Sequence, residues 1–351
     1  MVHAIQEIVL YLYMVDFNKG ANEQHDKYKG SILPREAWGL FIILLISLLS
    51  RGLGILFPLI GSLLFAILIG AILQNTIKLP KAFDPGIQFT LKVLLKVAIV
   101  FLGVGLSLYD ILHIGQKALW VIFFSVTIGI SVTYVVGKWL RIDKRLSLLI
   151  GIGTSICGAT AISAVKGIVG AKEDETAYAL STIVFFNLIS FVTYPIIGQL
   201  LHMSDLSFGI WAGTAVHDTS SAVAVGYAYG DEAGEVATTV KLARTLFLIP
   251  VMFILPFILR KKSTKGAHYK KAFPWFIFLF LAVSLLHTFG LIPMTMESYL
   301  KSSSKFMIIM VMTAVGLQVK GKDIIRLGIK PLLTGLIASI TCTVISLLLI
   351  L

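Results

Sequence analysis

Two stretches of the chain, LFIILLISLL at Leu40–Leu49 and LFLIPVMFILPFIL at Leu246–Leu259, are apolar on every face. A membrane-spanning β-strand would instead alternate apolar and polar side chains over about ten residues. Similar stretches recur along nearly the whole chain of 351 residues, of which 57% are hydrophobic and only 14% charged, with a mean hydropathy of +0.91. About a quarter of the residues of a soluble domain are charged. The sequence therefore predicts an all-α polytopic membrane protein and excludes collagen, disordered and ordinary soluble proteins.

Eleven segments meet or approach the roughly 20 apolar residues that a membrane-spanning helix needs. They are 37–56, 58–75, 87–109, 118–137, 146–170, 177–201, 206–229, 237–259, 273–291, 304–319 and 331–350. Residues 37–351 are thus expected to form one transmembrane domain. Residues 1–36 are polar except for Ile8–Phe17, which is too short to span, so we expect a surface helix or a mobile tail there.

Basic residues are concentrated in alternate loops between these segments. One set of loops, which includes the N-terminal stretch, holds twenty Lys and Arg residues, and the other set holds five. Because positively charged loops remain in the cytoplasm, the N-terminus is predicted inside and, with an odd number of spans, the C-terminus outside. The same distribution assigns the formal net charge of +12 to membrane topology and not to nucleic-acid binding.

A motif at 104–119 recurs at 315–332. The first copy reads VGLSL followed by YDILHIGQKAL, and the second reads VGLQV followed, after a two-residue insertion, by KDIIRLGIKPL. In the predicted topology the first copy leaves the membrane outside and the second inside. A motif in two opposite orientations predicts an inverted-topology repeat, as found in secondary transporters.

A second similarity relates the segment beginning at Gly153-Thr154 to the segment beginning at Gly213-Thr214. In the predicted topology these two segments point the same way. Either a direct duplication or a re-entrant segment explains this, and both interpretations stay open.

The stretch GIGTSICGATAIS at Gly151–Ser163 holds three glycines and four hydroxyl side chains within one apolar segment. Such a composition does not favour a continuous helix. One interpretation is close packing of helices through small residues. The other is a broken helix whose free N–H groups bind an anion near the middle of the membrane. The candidate substrate-binding residues are Gly153, Thr154, Ser155, Gly158 and Thr160.

The matching stretch GTAVHDTSSAVAVG at Gly213–Gly226 carries His217 and Asp218 inside an apolar run. Ionisable residues at such depth are costly and usually functional. His217 and Asp218 are therefore candidates for proton coupling, since a His side chain titrates near neutral pH. In the alternative, Asp218 caps a half-helix and His217 satisfies a backbone carbonyl. His217, Thr219, Ser220 and Ser221 complete the candidate substrate-binding residues of this stretch.

Five basic residues fall inside apolar segments: Lys92, Lys96, Lys166, Lys241 and Arg244. Lys92 and Lys166 can reach the membrane interface with their long side chains. Lys96 lies about 14 Å from the start of its segment at 1.5 Å per residue, which is near mid-membrane. Lys241 and Arg244 either form an ion pair with Glu235 at a helix start or line an anion path. Basic residues outnumber acidic ones in the predicted membrane interior, so we expect a small anionic substrate with Lys96, Lys241 and Arg244 among its ligands.

These patterns resemble the bacterial YeiH-type integral membrane proteins, which are described as candidate sulfate exporters. The resemblance covers residues 40–351. It is carried by Lys92 and Lys96 before Phe101-Leu102-Gly103, by Gly151–Val165, Lys172–Glu175, Gly213–Val225, Val240–Leu246 and Gly316-Leu317, and by Lys330–Leu332. It implies a transporter of the bacterial inner membrane, similar in architecture to sodium/proton antiporters and bile-acid symporters with their crossing broken helices. The polar stretch before Trp38 departs from the family pattern.

The sequence thus predicts a secondary transporter that exports sulfate, a sulfonate or another small anion, coupled to H⁺ or driven by the membrane potential. The alternatives are a cation-coupled transporter of organic anions, for which Na⁺ is the candidate ion, and an anion channel. An enzyme is not expected, although His217 with Ser155 or Ser220 is a conceivable pair. Only two cysteines occur, and no ATP-binding or metal-binding pattern is found, so we expect no cofactor and no metal. We expect the protein to be embedded in membrane lipid. Whether it forms a homo-oligomer is left open by the sequence.

Overall fold

The structure is a computed structural model that describes residues 36–57, 61–77, 79–259, 274–322 and 328–350. All regular elements in these ranges are helical. The helices are α1 (Ala37–Leu56), α2 (Gly61–Thr76), α3 (Lys81–Gly105, with a π-turn at Thr90–Leu94), α4 (Leu108–Trp139), α5 (Lys144–Ser155), α6 (Ala159–Val169), α7 (Glu173–Leu200), α8 (Asp205–Ala215), α9 (Thr219–Tyr229), α10 (Asp231–Leu246), α11 (Leu248–Ile258), α12 (Trp275–Thr288), α13 (Met294–Gln318) and α14 (Ile329–Ile350).

Seven helical runs of the described ranges are long and apolar enough to cross a membrane. They are α1, α3, α4, α7, α10 continued by α11 (Asp231–Ile258), α13 and α14. The helices α2 and α12 are apolar but have only 16 and 14 residues. The two other predicted spans, 146–170 and 206–229, are each divided into two short helices. The prediction of a multi-pass helical membrane protein is thus confirmed, whereas the number of eleven spans stays a prediction.

The two copies of the predicted repeat begin at comparable places. Each starts in the last turn of a helical run of 25 residues, α3 in one case and α13 in the other. Within the first copy, Ser107 and Asp110 form a capping box that starts α4. In the second copy, residues 323–327 lie outside the described residues, as do residues 1–35 of the predicted N-terminal segment. The inverted orientation of the two copies stays a prediction.

The described helices form two compact units, one holding residues up to Val104 together with Gly290–Lys320, and the other holding Gly105–Phe289 and Gly321–Leu351. In the first unit, α2 and α13 approach closely through glycines. A Cβ atom added to Gly70 would lie 2.6 Å from the carbonyl oxygen of Thr313. Oγ1 of Thr313 in turn lies 3.0 Å from Oγ of Ser47 on α1. This is the small-residue packing expected of helices in a membrane.

In the second unit, α5 and α8 are the central helices, and the other helices of the unit pack around them. Every residue from Leu146 to Gly158 and from Phe208 to His217 is buried. A helix that is buried all round needs small or apolar side chains on each face. A Cβ atom on Gly213 of α8 would lie 2.7 Å from Cβ of Val240 on α10. The sequences of α5 and α8 therefore suit the centre of this unit, where their ends define the candidate site.

Candidate functional site

The helix that the sequence predicts to break does so at Ile156-Cys157-Gly158, between α5 and α6. Gly158 has φ +63° and ψ −126°, a conformation that only glycine adopts readily. The N–H of Gly158 donates to the carbonyl of Gly153 at 2.9 Å and so closes the end of α5. Exposure changes at the break: Ala159, Thr160 and Ser163 at the start of α6 are exposed.

The second break lies at Val216-His217-Asp218, between α8 and α9. Val216 and Asp218 are extended, with ψ angles of 137° and 152°. The break meets the first one: a Cβ atom added to Gly158 would lie 3.3 Å from both Cα and Cβ of Asp218. The two polar segments singled out in the sequence are thus in contact, and each brings the C-terminus of one short helix and the N-terminus of the next to the same place.

Arg244, on α10, bonds the carbonyl groups at the ends of both α5 and α8. Its Nε donates to Ser155 and its Nη2 to Thr154, each at 2.6 Å. Its Nη1 donates to Thr214 and, at 3.1 Å, to Val216. The last carbonyls of a helix have no partner within it and form the negative end of its dipole. One guanidinium therefore satisfies the free carbonyls of two helix ends.

Lys241 lies one turn before Arg244 and donates from Nζ to the carbonyl of Val216 at 2.6 Å. Both cations are completely buried. Among the described residues, neither cation forms an ion pair with a carboxylate; the hydrogen bonds of both go to carbonyl groups. The predicted ion pair with Glu235 is therefore not formed. Asp218, which accepts a hydrogen bond from Oγ of Ser220, is the acidic residue of the breaks. The two breaks are thus accompanied by two buried cations, Lys241 and Arg244, and by the half-buried carboxylate of Asp218.

His217 is completely buried and connects three parts of the unit. Its Nδ1 lies 3.2 Å from the carbonyl of Thr154, and its Nε2 lies 2.7 Å from Oγ of Ser339 on α14. Because a carbonyl can only accept a hydrogen bond, Nδ1 carries a proton. Both ring nitrogens are engaged by the protein. This is the structural alternative considered for His217, a side chain that satisfies a backbone carbonyl.

Asn187, at the middle of α7, was not among the residues selected from the sequence. Its Oδ1 accepts hydrogen bonds from the N–H groups of His217 at 3.2 Å and Asp218 at 3.3 Å. Asn187 therefore binds N–H groups of the second break, whereas Lys241 and Arg244 bind its carbonyl groups. An amide near the centre of the apolar segment 177–201 is the signal that could have identified it.

The structure separates the predicted site residues into buried and accessible groups. The buried group consists of Gly153, Thr154, Ser155, Gly158, His217, Ser220, Ser221, Lys241 and Arg244. Thr160 is exposed, whereas Asp218 and Thr219 are half-buried. Lys96 belongs to α3 in the other unit, so its predicted place among the ligands stays a prediction.

Neither cysteine chemistry nor a metal centre is suggested by the described residues. Cys157 and Cys342 are both free thiols and both buried. No group of three His, Cys, Asp or Glu side chains in the described ranges is arranged to hold a metal ion. The contact between the break at 156–158 and the break at 216–218 is termed the crossing.

Comparison with known proteins gives consistent matches over nearly the whole chain. The family model described as Conserved hypothetical protein 698 matches residues 38–335. A UPF0324 membrane protein of Clostridium tetani is 36% identical over 326 residues, covering 88% of this chain and 94% of that protein. UPF0324 membrane proteins of Streptococcus pyogenes serotype M6 and Streptococcus pneumoniae R6 are each 38% identical, covering 89% and 88% of this chain and 96% and 94% of their own lengths. These names describe membrane proteins and state no substrate.

Proposed function

Because the chain belongs to the YeiH-type family, whose curated members are named UPF0324 membrane proteins, we propose that it is a secondary active transporter of a small anion such as sulfate or a sulfonate. The family alone does not name a substrate. The observation that carries the proposal is the pair of buried cations, Lys241 and Arg244, at the contact between two broken helices.

Charge at the crossing favours an anion. Lys241 and Arg244 bind carbonyl oxygens, which neutralise only part of their charge, and Asp218 supplies a carboxylate at the second break. The N-termini of α6 and α9 lie at the same crossing, and helix N-termini attract negative charge. An anion that binds there completes the charge balance of a site in which cations otherwise outnumber acids.

The breaks also suit transport. In secondary transporters, discontinuous helices bind substrate near the middle of the membrane while one part of the protein moves against another. Thr160, Asp218 and Thr219 are accessible at the crossing, whereas the residues behind them are buried. We propose that these accessible groups contact the substrate and that the buried ones set the position of the helix ends.

Proton coupling is assigned to Asp218. His217 has both nitrogens engaged inside the protein, whereas Asp218 is half-buried and bonded to Ser220. Protonation of Asp218 removes the negative charge that opposes an anion at the crossing. A proton and the anion are therefore expected to favour each other's binding, as thermodynamic linkage requires.

The test is sulfate uptake into proteoliposomes that contain the purified protein, measured with imposed pH gradients of both polarities. We expect saturable uptake that responds to the pH gradient in the wild type, and saturable uptake without this response in Asp218→Asn. Flux that does not saturate would favour an anion channel, and flux that requires a Na⁺ gradient would favour a sodium-coupled transporter. Uptake no greater than that of empty vesicles would remove sulfate as the substrate, and sulfonates and carboxylates would be tested next.

A further inference from the structure

The side-chain amide of Asn187 has one end occupied and one end available. Its Oδ1 accepts from two backbone N–H groups, those of His217 and Asp218. Since only an oxygen can accept from these donors, the orientation of the amide is fixed by chemistry. An amide oxygen has two lone pairs, and both are used.

Nδ2, at the other end of the same planar group, has no acceptor among the described residues. Asn187 is 6% exposed, so the amide lies inside the unit and next to the crossing. The other buried donors of the crossing are already engaged: Lys241 and Arg244 bind carbonyls, and Nδ1 of His217 binds Thr154. The N–H bonds of Asn187 Nδ2 are therefore available to a ligand that enters the crossing.

The position of Asn187 agrees with a place beside the substrate. Ile183, one turn earlier on the same face of α7, lies 3.4 Å from the Cβ position of Gly158, at the first break. Asn187 bonds the second break. The face of α7 that carries both residues therefore runs along the contact between the two breaks, where Asp218 and Thr219 are accessible.

We infer that Asn187 Nδ2 donates a hydrogen bond to the transported anion and so helps to select anions over cations. The inference deepens the proposed function and rests on it. A cation such as Na⁺ would need oxygen ligands, and the oxygen of Asn187 is already used. An oxyanion instead offers the acceptor that Nδ2 lacks, and a hydrogen bond to a charged acceptor is stronger than one between neutral groups.

The decisive variant is Asn187→Asp, which has nearly the same shape. Its first carboxylate oxygen can still accept from His217 and Asp218, but the donor is replaced by a second oxygen. We expect the concentration of sulfate at half-maximal uptake to rise about ten- to hundredfold, the loss of one hydrogen bond to a charged group. A role that is only structural leaves the added negative charge as the sole cause of weaker binding, so it predicts an equal loss of sulfate affinity in Ser190→Asp, which places the same charge one turn further along α7. That outcome would overturn the inference.

A control variant and a second variant of Asn187 complete the test. Ser190→Ala is the matched control, since Ser190 is also buried on α7 but bonds its own helix at Phe186, and its sulfate affinity should equal that of the wild type. If Asn187→Asp does not yield folded protein, Asn187→Ser, which removes both ends of the amide, is measured instead: weaker sulfate affinity supports the inference, and a lower unfolding midpoint with unchanged sulfate affinity overturns it. Failure of the proposed function is distinguishable, because then the wild type itself takes up no sulfate.

Discussion

Arg244 and Thr154, 90 positions apart in the sequence, are joined by a hydrogen bond of 2.6 Å from Nη2 to the carbonyl oxygen. The same guanidinium bonds Thr214, at the end of the other central helix. One side chain of α10 thus fixes the ends of α5 and α8 relative to each other. At the crossing, two segments have broken helices, and a third segment, α10, supplies the donors for the carbonyl groups at both breaks.

Replacement of Arg244 by Lys should destabilise the protein although the charge is retained. An ammonium group cannot reach the four carbonyls that the planar guanidinium binds, so buried acceptors lose their donors. We expect a loss of about 3 kcal/mol, because each hydrogen bond to a charged group contributes about 1.5–3 kcal/mol. The measurement is the midpoint of thermal unfolding in detergent, which should fall by several degrees.

The control for this variant is Arg145→Lys. Arg145 is exposed at the start of α5, where its backbone N–H is bonded by Asp143 and does not depend on the side chain. Its unfolding midpoint should match that of the wild type. Equal midpoints for Arg244→Lys and the wild type would show that the guanidinium does not hold the helix ends.

Replacement of Lys241 should affect transport and leave the stability of the protein intact. In Lys241→Met the carbonyl of Val216 keeps a donor, Nη1 of Arg244 at 3.1 Å, and a buried cation without a carboxylate partner is removed. Replacing a buried charge by an apolar side chain of similar size is often neutral or stabilising. We therefore expect an unchanged or higher unfolding midpoint but a sulfate affinity at least about tenfold weaker, because the positive charge at the crossing is reduced.

Uptake assays on Lys241→Met and on Lys117→Met, an exposed lysine of α4, test this separation. Lys117→Met should match the wild type in both affinity and stability. If Lys241→Met instead loses stability and keeps its sulfate affinity, the lysine serves the fold and does not attract the substrate.

The positions of the two breaks could be predicted from the sequence because their cause is local. Glycines and hydroxyl side chains at Gly151–Ser163, and the ionisable pair at 217–218, disfavour a continuous apolar helix wherever they occur. The partners of these residues could not be predicted, because they depend on packing between distant segments. Arg244 bonds Ser155 across 89 positions, and His217 bonds Ser339 across 122.

Asn187 and the span count show two further limits of the sequence. A single amide in an apolar segment has no periodicity, so its role appears only when its two backbone donors are known.

Hydropathy detects apolar segments of about 20 residues, whereas α5 and α6 have 12 and 11 residues and α8 and α9 have 11 each. An apolar total over 146–170 or 206–229 therefore cannot tell one helix from two.

Two glycines of the same segment should respond to alanine with opposite signs. Gly158→Ala places a Cβ on a residue with φ +63° and within 3.3 Å of Asp218, so we expect a loss of about 1–3 kcal/mol from backbone strain. Gly167 lies within α6, and a Cβ there would meet nothing within 4 Å. Gly167→Ala should raise stability by about 0.5–1 kcal/mol, since alanine favours a helix more than glycine does. Thermal unfolding of both variants in the same detergent measures the contrast, and losses of similar size would contradict it.

His217→Gln tests whether the histidine carries the transported proton. The glutamine amide can reach Ser339 much as Nε2 does, but the bond to the Thr154 carbonyl is lost. That carbonyl keeps Nη2 of Arg244 as a donor, so we expect a loss of only about 1 kcal/mol and a functional protein. Because Asp218 is accessible and both nitrogens of His217 are engaged, uptake should depend on pH as in the wild type. The measurement is sulfate uptake over a series of pH values for the wild type, His217→Gln and Asp218→Asn. Loss of the pH dependence in His217→Gln, with Asp218→Asn still pH-dependent, would transfer proton coupling from the aspartate to the histidine.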